Sequence, residues 1–491
     1  MHGRDGGARG APIGFEPGPP LTGVLRAPGS KSLAQRYILA ASLAHGSTRL
    51  GGLPAGDDVA ATLALVRAAG VQVDAAGGPG AVRIAGRPPG GLASGWLAVD
   101  VRERGAPAPP IREHGEHAEH GQYNAGESGT LARFASALLA LCARPGAVAR
   151  LGGAGTLLAR RSPALFRALS DAGAGVAFEG LPGGWPVRLT AIGPPSWLDL
   201  VDPTSSQEAS ALALALAAYP GQSTLRITGE LPSAPYFSMT LAVLERFGAV
   251  VREPRAPDPG TARTLKIALK GPLEAPRDPL TVEPDASSAA IALVAACISG
   301  GEVRASGFGA GGAARPLQGD VRIVDHLAAF GCAARMEAGM LIAGGTPRRP
   351  AELDLRGEPD LAPPLAALAA ARALVAPAGE RPTRLFGLHT LPGKESSRIE
   401  VLARGIAALG LHVHTTSASL EIGPAQGAAD RVDRVDLDAA GDHRMVFAFA
   451  LLGLARRGIR VVDSAPIAKS WGTFFHDLER LGAHVARRDG V

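Results

Sequence analysis

An amphipathic helical stretch that ends in glycine and runs into a short apolar segment recurs six times, and no other feature limits the fold as much. The copies are Thr62 to Val71, Leu165 to Ala174, Leu241 to Ala249, Ile323 to Cys332, Leu402 to Leu411 and Phe474 to Ala483. Their glycines are Gly70, Gly173, Gly248, Gly331, Gly410 and Gly482. A left-handed cap just past a helix calls for glycine, because a residue without Cβ takes that conformation unstrained. Between the copies lie six more helical stretches, small and apolar all round, beginning at Ser32, Gly129, Ser206, Ala286, Leu361 and His443. A helix without a polar face has to be buried. Each is followed by a turn and a β-like run, such as Ser223 to Ile227 or Ile459 to Val462. One unit is therefore two helices interleaved with short strands, and six such units predict an α/β protein.

The first interval is the longest because 101–123 reads as an insertion. It carries His114, His117 and His120, flanked by glycine and lacking a carboxylate or cysteine framework, so a solvated loop is favoured over a metal site. At 491 residues the chain is long enough for two to four domains. Residues 1–20 are rich in Gly and Pro without the apolar core of a signal peptide, and read as a disordered tail. No apolar run is pure enough to span a membrane, so the cytoplasm is expected. A net charge of +5 without any basic run, and 4% aromatic residues, favour small acidic ligands over nucleic acid. Cys142, Cys297 and Cys332 lie far apart in apolar surroundings and read as buried thiols.

Polar residues collect at the helix starts. Pro28-Gly29-Ser30-Lys31-Ser32 leads into the first buried helix, with Arg36 one turn on. Free backbone N–H groups, two hydroxyls and two cations there suit an anion. The other buried helices open on Glu127-Ser128-Gly129-Thr130 with Arg133, on Ser205-Ser206-Gln207, on Asp285-Ala286-Ser287-Ser288, near Asp360, and on Asp442-His443-Arg444. The amphipathic helices open near Asp57-Asp58, Arg160-Arg161, Ser233-Ala234-Pro235-Tyr236, Gln318-Gly319-Asp320, Lys394-Glu395…Arg398 and Ala468-Lys469-Ser470. Singly, each has an ordinary explanation as a cap or a surface ion pair. Jointly, Lys31, Arg36, Arg133, Lys394, Arg398, Arg444 and Lys469 imply a ligand with several negative charges. Asp360, Glu395, Asp442 and His443 are then the candidates for proton transfer.

Taken in order from Leu21 to Ala486, these motifs resemble the 5-enolpyruvylshikimate-3-phosphate synthase family, the enolpyruvyl transferases of the shikimate pathway. The resemblance implies two globular domains, each a threefold repeat of a βαβαββ unit, around a hinged interdomain cleft that closes on substrate. The first domain would comprise 21–29 and 280–491, the second 30–279. The implied reaction joins the enolpyruvyl group of phosphoenolpyruvate to the 5-hydroxyl of shikimate 3-phosphate and releases phosphate, with no metal or cofactor and no nucleic-acid or membrane partner, in a cytoplasmic monomer.

Carried over motif by motif, Ser205, Ser206, Ser233 and Tyr236 would hold the shikimate phosphate, and Arg36, with Ser32 nearby, the shikimate carboxylate. Lys31, Gly129, Gln207, Arg398, Arg444 and Lys469 would meet phosphoenolpyruvate, with Arg133 and Lys394 completing the basic lining. Asp360 would accept the hydroxyl proton, and Glu395 or Lys31 would help protonate the methylene carbon. Gly129 leaves space beside the phosphoenolpyruvate site, which implies sensitivity to glyphosate, the inhibitor associated with the family.

Four positions depart from the pattern. Glu127 stands where the family has Asn, with Asn124-Ala125-Gly126 upstream offering another register. Thr156 falls near an expected arginine, for which Arg160 or Arg161 substitutes. Thr390 replaces an Asn, and Ser397 an acid. Two other readings follow from these departures: an enolpyruvyl transferase with a different acceptor, or a catalytically weak paralogue that binds a phosphorylated ligand. Asp360, Glu395, Lys31 and Lys469 are all present, which argues against the latter.

Overall fold

The computed structural model describes residues 12–86, 121–252, 264–309, 315–425 and 434–487. The chain divides into two compact units, one of 1–30 with 283–491 and the other of 31–282. The latter contains helices α1 (Lys31–Leu43), α2 (Asp57–Ala68), α3 (Gly129–Leu141), α4 (Pro163–Asp171), α5 (Ser206–Ala217) and α6 (Ala234–Arg246). The former contains α7 (Ala286–Ser299), α8 (Ile323–Ala329), α9 (Ala362–Val375), α10 (Arg398–Ala407), α11 (His443–Ala455) and α12 (Phe474–Arg480).

The odd-numbered helices are the apolar ones, and their side chains are buried over most of their length. The even-numbered helices are those followed by the six glycines, all of which have positive φ, between 80° and 106°. Each pair of helices is laced through one four-stranded sheet, giving six sheets among the described residues. The second repeat shows the pattern. Strand Gly121–Asn124 leads into α3 and pairs in parallel with Val148–Gly152; Val187–Thr190 and Gly175–Phe178 then add antiparallel. The order along the chain is βαβαββ.

Three sheets are completed by distant segments. Leu280–Thr281 pairs in parallel with Leu50–Gly51 and supplies the first strand of the first repeat. In the other unit, Thr22–Leu25 opens the sheet of Glu302–Ser306, and Ile13–Glu16 lies between Ile459–Val461 and His484–Arg487. Residues 13–16 are therefore not part of a disordered tail. The reason is packing: Phe15 is fully buried against Phe474 and Phe475, with ring centroids 5.6 and 5.2 Å away. Burying that ring contributes about 2 kcal/mol. Next to it Gly14 admits a close backbone approach, since a Cβ there would lie 2.4 Å from the Ile459 carbonyl oxygen.

The proposed insertion is corrected at its end, because 121–123 form the first strand of the second repeat, with Tyr123 buried in its sheet. Its remainder, including His114, His117 and His120, lies outside the described residues. All three cysteines are free and buried. No helix among the described residues is long and apolar enough to cross a membrane.

Candidate active site

In the unit of 31–282 the candidate side chains stand at helix starts because hydroxyl and acidic residues cap helices while the apolar remainder is buried. Lys31 opens α1 and pairs with Asp58 of α2 at 2.9 Å. One turn on, Arg36 is buried. Its Nε donates to Thr240 Oγ1 at 2.7 Å, and its two Nη atoms donate to the Ser32 and Tyr236 carbonyl oxygens at 2.8 and 3.2 Å. Burial lowers its pKa to about 10, against the opposing pull of Tyr236, so it stays cationic at neutral pH. Among the described residues three of its five N–H groups are engaged in this arrangement.

Arg133 is held in the same way. Its Nε donates to Ser162 Oγ at 2.9 Å, its Nη1 to the Gly129 carbonyl and Gln207 Oε1, both at 3.0 Å, and its Nη2 to the Arg161 carbonyl at 2.9 Å. Burial first, and Arg160 after it, lower its pKa to about 10, while Glu208 pulls the other way. Gln207 also donates to Thr130 Oγ1 at 3.0 Å, which ties α5 to α3.

Glu208 behind it was not among the expected residues. Fully buried, it accepts from Ser162 Oγ at 2.6 Å and from the N–H groups of Thr204 and Ser205 at 2.7 and 3.2 Å. It thereby holds Ser205, the N-cap of α5, and Arg133 through Ser162. The Ser-x-x-Glu spacing of a capping box, Ser205 to Glu208, was the signal that could have found it. Ser206 is the first residue of α5 and buried. Ser233, the N-cap of α6, adopts φ 54° and ψ 43°. That left-handed conformation costs a serine about 1–2 kcal/mol, and such strain persists where surrounding structure demands it.

The unusual loop keeps the expected register. Asn124 Oδ1 accepts from the Gly126 N–H at 2.8 Å, Ser128 caps α3, and Gly129 is its first residue. A Cβ at Gly129 would lie 2.6 Å from Arg160 Nη1 and 2.9 Å from Arg133 Nη1, so two guanidinium groups converge on this glycine. Of the two possible substitutes it is Arg160 that arrives there; Arg161 donates instead to the Ala159 carbonyl at 3.1 Å. Thr156 links the departures. Its N–H and hydroxyl donate to Glu127 Oε2 at 3.4 and 3.2 Å, and its hydroxyl accepts from Arg160 Nη2 at 3.2 Å. Glu127 fits because residue 155 is glycine: with φ 52°, a Cβ there would come within 2.3 Å of Oε1.

In the unit of 1–30 and 283–491, Asp360 sits in a 3-10 turn, Pro359–Leu361, ahead of α9. Three cations meet it. Arg398 Nη1 and Lys394 Nζ lie 2.9 and 3.5 Å from Oδ1, and Arg444 Nη2 lies 3.0 Å from Oδ2. Arg444 also donates to the Asp360 carbonyl at 3.2 Å. Arg398, buried at the start of α10, reaches Asp442 through Nε at 2.8 Å. Burial would lower its pKa, but Asp442 and Asp360 outweigh that and raise it. Asp442 caps α11, accepting from the Arg444 N–H at 2.9 Å. Burial pushes its carboxyl up, and Arg398 brings it below the ordinary carboxylate value.

Glu395 Oε2 and His443 Nδ1 are 2.8 Å apart. Together with Asp442 they form the one His and carboxylate group among the described residues whose ligand atoms gather as a metal site would require. Arg398, bonded to Asp442 at 2.8 Å, supplies a counter-charge there. Lys469 ends the 3-10 turn Ala465–Lys469 and is half-buried. Ser397 occupies the N-cap position of α10 without a side-chain cap bond, and Thr390 Oγ1 is buried with no hydrogen-bond partner.

The EPSP synthase (3-phosphoshikimate 1-carboxyvinyltransferase) family model matches residues 15–94 and 107–478. A 3-phosphoshikimate 1-carboxyvinyltransferase of Syntrophobacter fumaroxidans is 30% identical over 467 residues, covering 94% of this chain and 98% of that protein. One of Bordetella parapertussis is 31% identical over 467 residues, covering 92% and 94%. EPSP synthase from Acinetobacter baumannii shares the fold with a TM-score of 0.68 at 24% identity, over 97% of this chain and all of that one. The enolpyruvyl transferase NikO from Streptomyces tendae does so with 0.64 at 20% identity, over 98% of this chain. Matched over most of its length, with six βαβαββ repeats and the basic helix starts in place, this chain belongs to the EPSP synthase family.

Proposed function

We propose that this chain is a working transferase that moves the enolpyruvyl group of phosphoenolpyruvate to the 5-hydroxyl of shikimate 3-phosphate and releases phosphate. The observation that carries the reading is Asp360, a carboxylate in contact with Arg398, Lys394 and Arg444 beside the Glu395–His443 pair. Asp360 takes the proton as the 5-oxygen bonds to C2 of phosphoenolpyruvate. A proton goes to C3, from Glu395 or Lys31; we favour Glu395, whose bond to His443 offers a proton store. Loss of phosphate and of one methyl proton then restores the double bond. Cationic character at C2 is stabilised by nearby carboxylates, while the arginines and lysines hold the substrates' phosphates and carboxylates.

Ser205, Ser206, Ser233 and Tyr236 hold the shikimate phosphate in this reading, and Arg36 with Ser32 its carboxylate. Lys31, Gly129, Arg133, Gln207, Arg398, Arg444 and Lys469 meet phosphoenolpyruvate. The protein acts as a cytoplasmic monomer without metal or cofactor, so turnover should survive a chelator and sedimentation should give one chain. The deciding experiment is phosphate release from purified protein. Release that requires both substrates supports the assignment; release that ignores shikimate 3-phosphate, or none at all, refutes it.

Gly129→Ala should separate inhibitor from substrate. The added methyl must displace the Arg160 and Arg133 guanidinium ends. We expect the wild type to be inhibited by glyphosate, and the variant to show a higher KM for phosphoenolpyruvate and a still larger loss of inhibition. Steady-state kinetics with and without glyphosate checks this, and an unchanged inhibition constant would contradict the placement of Gly129.

A further inference from the structure

We infer that Asp320 is a positioning residue for Arg444 and Asp360, acting through the Ser287 hydroxyl, and that its charge governs how strongly Arg444 holds the phosphoenolpyruvate anion. The inference rests on the reaction assigned above. Asp320 lies in a 3-10 turn, Gly319–Arg322, and is 2% exposed. Its Oδ2 hydrogen-bonds Ser287 Oγ, in the first turn of α7. From the other side Arg444 Nη2 reaches the same Ser287 oxygen at 3.5 Å while pairing with Asp360 at 3.0 Å. One hydroxyl thus stands between a buried acid and the cation that grips the proposed proton acceptor.

The turn is pinned at both ends. Gln318 Oε1 accepts from the Ala286 N–H at 3.0 Å, and its Nε2 donates to the Pro284 carbonyl at 2.7 Å. Arg322 Nη1 pairs at 3.0 Å with Glu358, which is buried two residues before Asp360. The turn is thereby held on both sides of Asp320, whose carboxyl is bonded to Ser287 Oγ.

Asp360, Asp285, Arg444 and the Ser287 hydroxyl face this carboxyl. Burial first, and then the negative charge of Asp360, raise its pKa to about 7, against the pull of Ser287 and Arg444. Below that pH Asp320 is neutral, and Arg444 answers to Asp360 and the substrate. Above it, the Ser287 O–H donates to the Asp320 carboxylate and turns a lone pair toward Arg444. A second negative charge then competes with the substrate for the same guanidinium.

The test compares wild type with Asp320→Asn and Ser287→Ala between pH 6 and 8.5. It uses equilibrium binding of phosphoenolpyruvate together with kcat and KM. Ratios of variant to wild type cancel the ligand's own ionisation. The variant-to-wild-type KM ratio should fall by about 3- to 10-fold as pH rises through 7, which is what half to one unit of coupling amounts to. The kcat ratio should stay level. Ser287→Ala removes only one hydroxyl and keeps the test alive if Asp320→Asn does not fold. A ratio flat with pH in a folded, active variant overturns the role of Asp320. A wild type that binds phosphoenolpyruvate with the expected pH shift but never releases phosphate would instead refute the reaction assignment and leave this coupling supported.

Discussion

Asp360→Asn is expected to lower kcat by about 10³-fold, the middle of the range for removing a positioned general base, without raising KM for phosphoenolpyruvate. The asparagine keeps the shape and one oxygen for Arg398, but it cannot accept the hydroxyl proton. It also withdraws the negative charge that Arg398, Lys394 and Arg444 now share. Those cations are then freer to meet an anion, so substrate binding should be equal or tighter. Phosphate-release kinetics measures both parameters. A variant with normal kcat would remove Asp360 from the chemistry, and a large rise in KM at unchanged kcat would make it a binding residue only.

The second large effect is on stability. Asp442→Ala should destabilise its unit by about 3–5 kcal/mol, because removing one member of a buried ion pair strands the other. Asp442 is fully buried, and it is the partner of Arg398 Nε at 2.8 Å and Nη2 at 3.3 Å. It also accepts from Ser396 Oγ at 3.1 Å and caps α11. Asp442→Asn keeps the cap and should lose less. The pH dependence has a definite sign. The folded carboxyl sits below its unfolded value, so its stabilisation is complete above about pH 4 and is lost as pH falls through the depressed folded value. The gap between wild type and Asp442→Ala in urea unfolding should therefore narrow in acid. A gap that is the same at pH 7 and well below pH 4 would show that Asp442 acts through its cap and packing rather than its charge.

The expected site residues divide in an instructive way. Lys31, Arg133, Gln207, Asp360, Lys394, Arg398 and Arg444 all engage polar partners at helix starts, where hydroxyls, acids and apolar runs had already placed them. Glu127 departs from the family pattern, yet a glycine 28 positions later leaves it room and Thr156 supplies two donors. Choosing between Arg160 and Arg161 was beyond any local rule, because neighbouring residues differ in direction only once the turn around them is built. Glu208 went unnamed, and Asp320 read only as a cap, for a related reason. An acid near a helix start is usually a cap, and only burial against Ser162 or Ser287 makes it a hub.

The sequence alone determined the six repeats, the alternation of apolar and amphipathic helices, the capping glycines and the family. These are local properties, set by periodicity along a helix and by the few residues that tolerate its ends. Tertiary structure alone decided that Ile13–Glu16 and Thr22–Leu25 complete sheets whose other strands come more than 270 residues later. It also decided which cations share Asp360 and which hydroxyl couples Asp320 to Arg444. Such pairings depend on which helix starts packing brings within 3 Å of one another. The free energy of burying whole apolar helices sets that proximity, and no feature of the polar residues themselves records it.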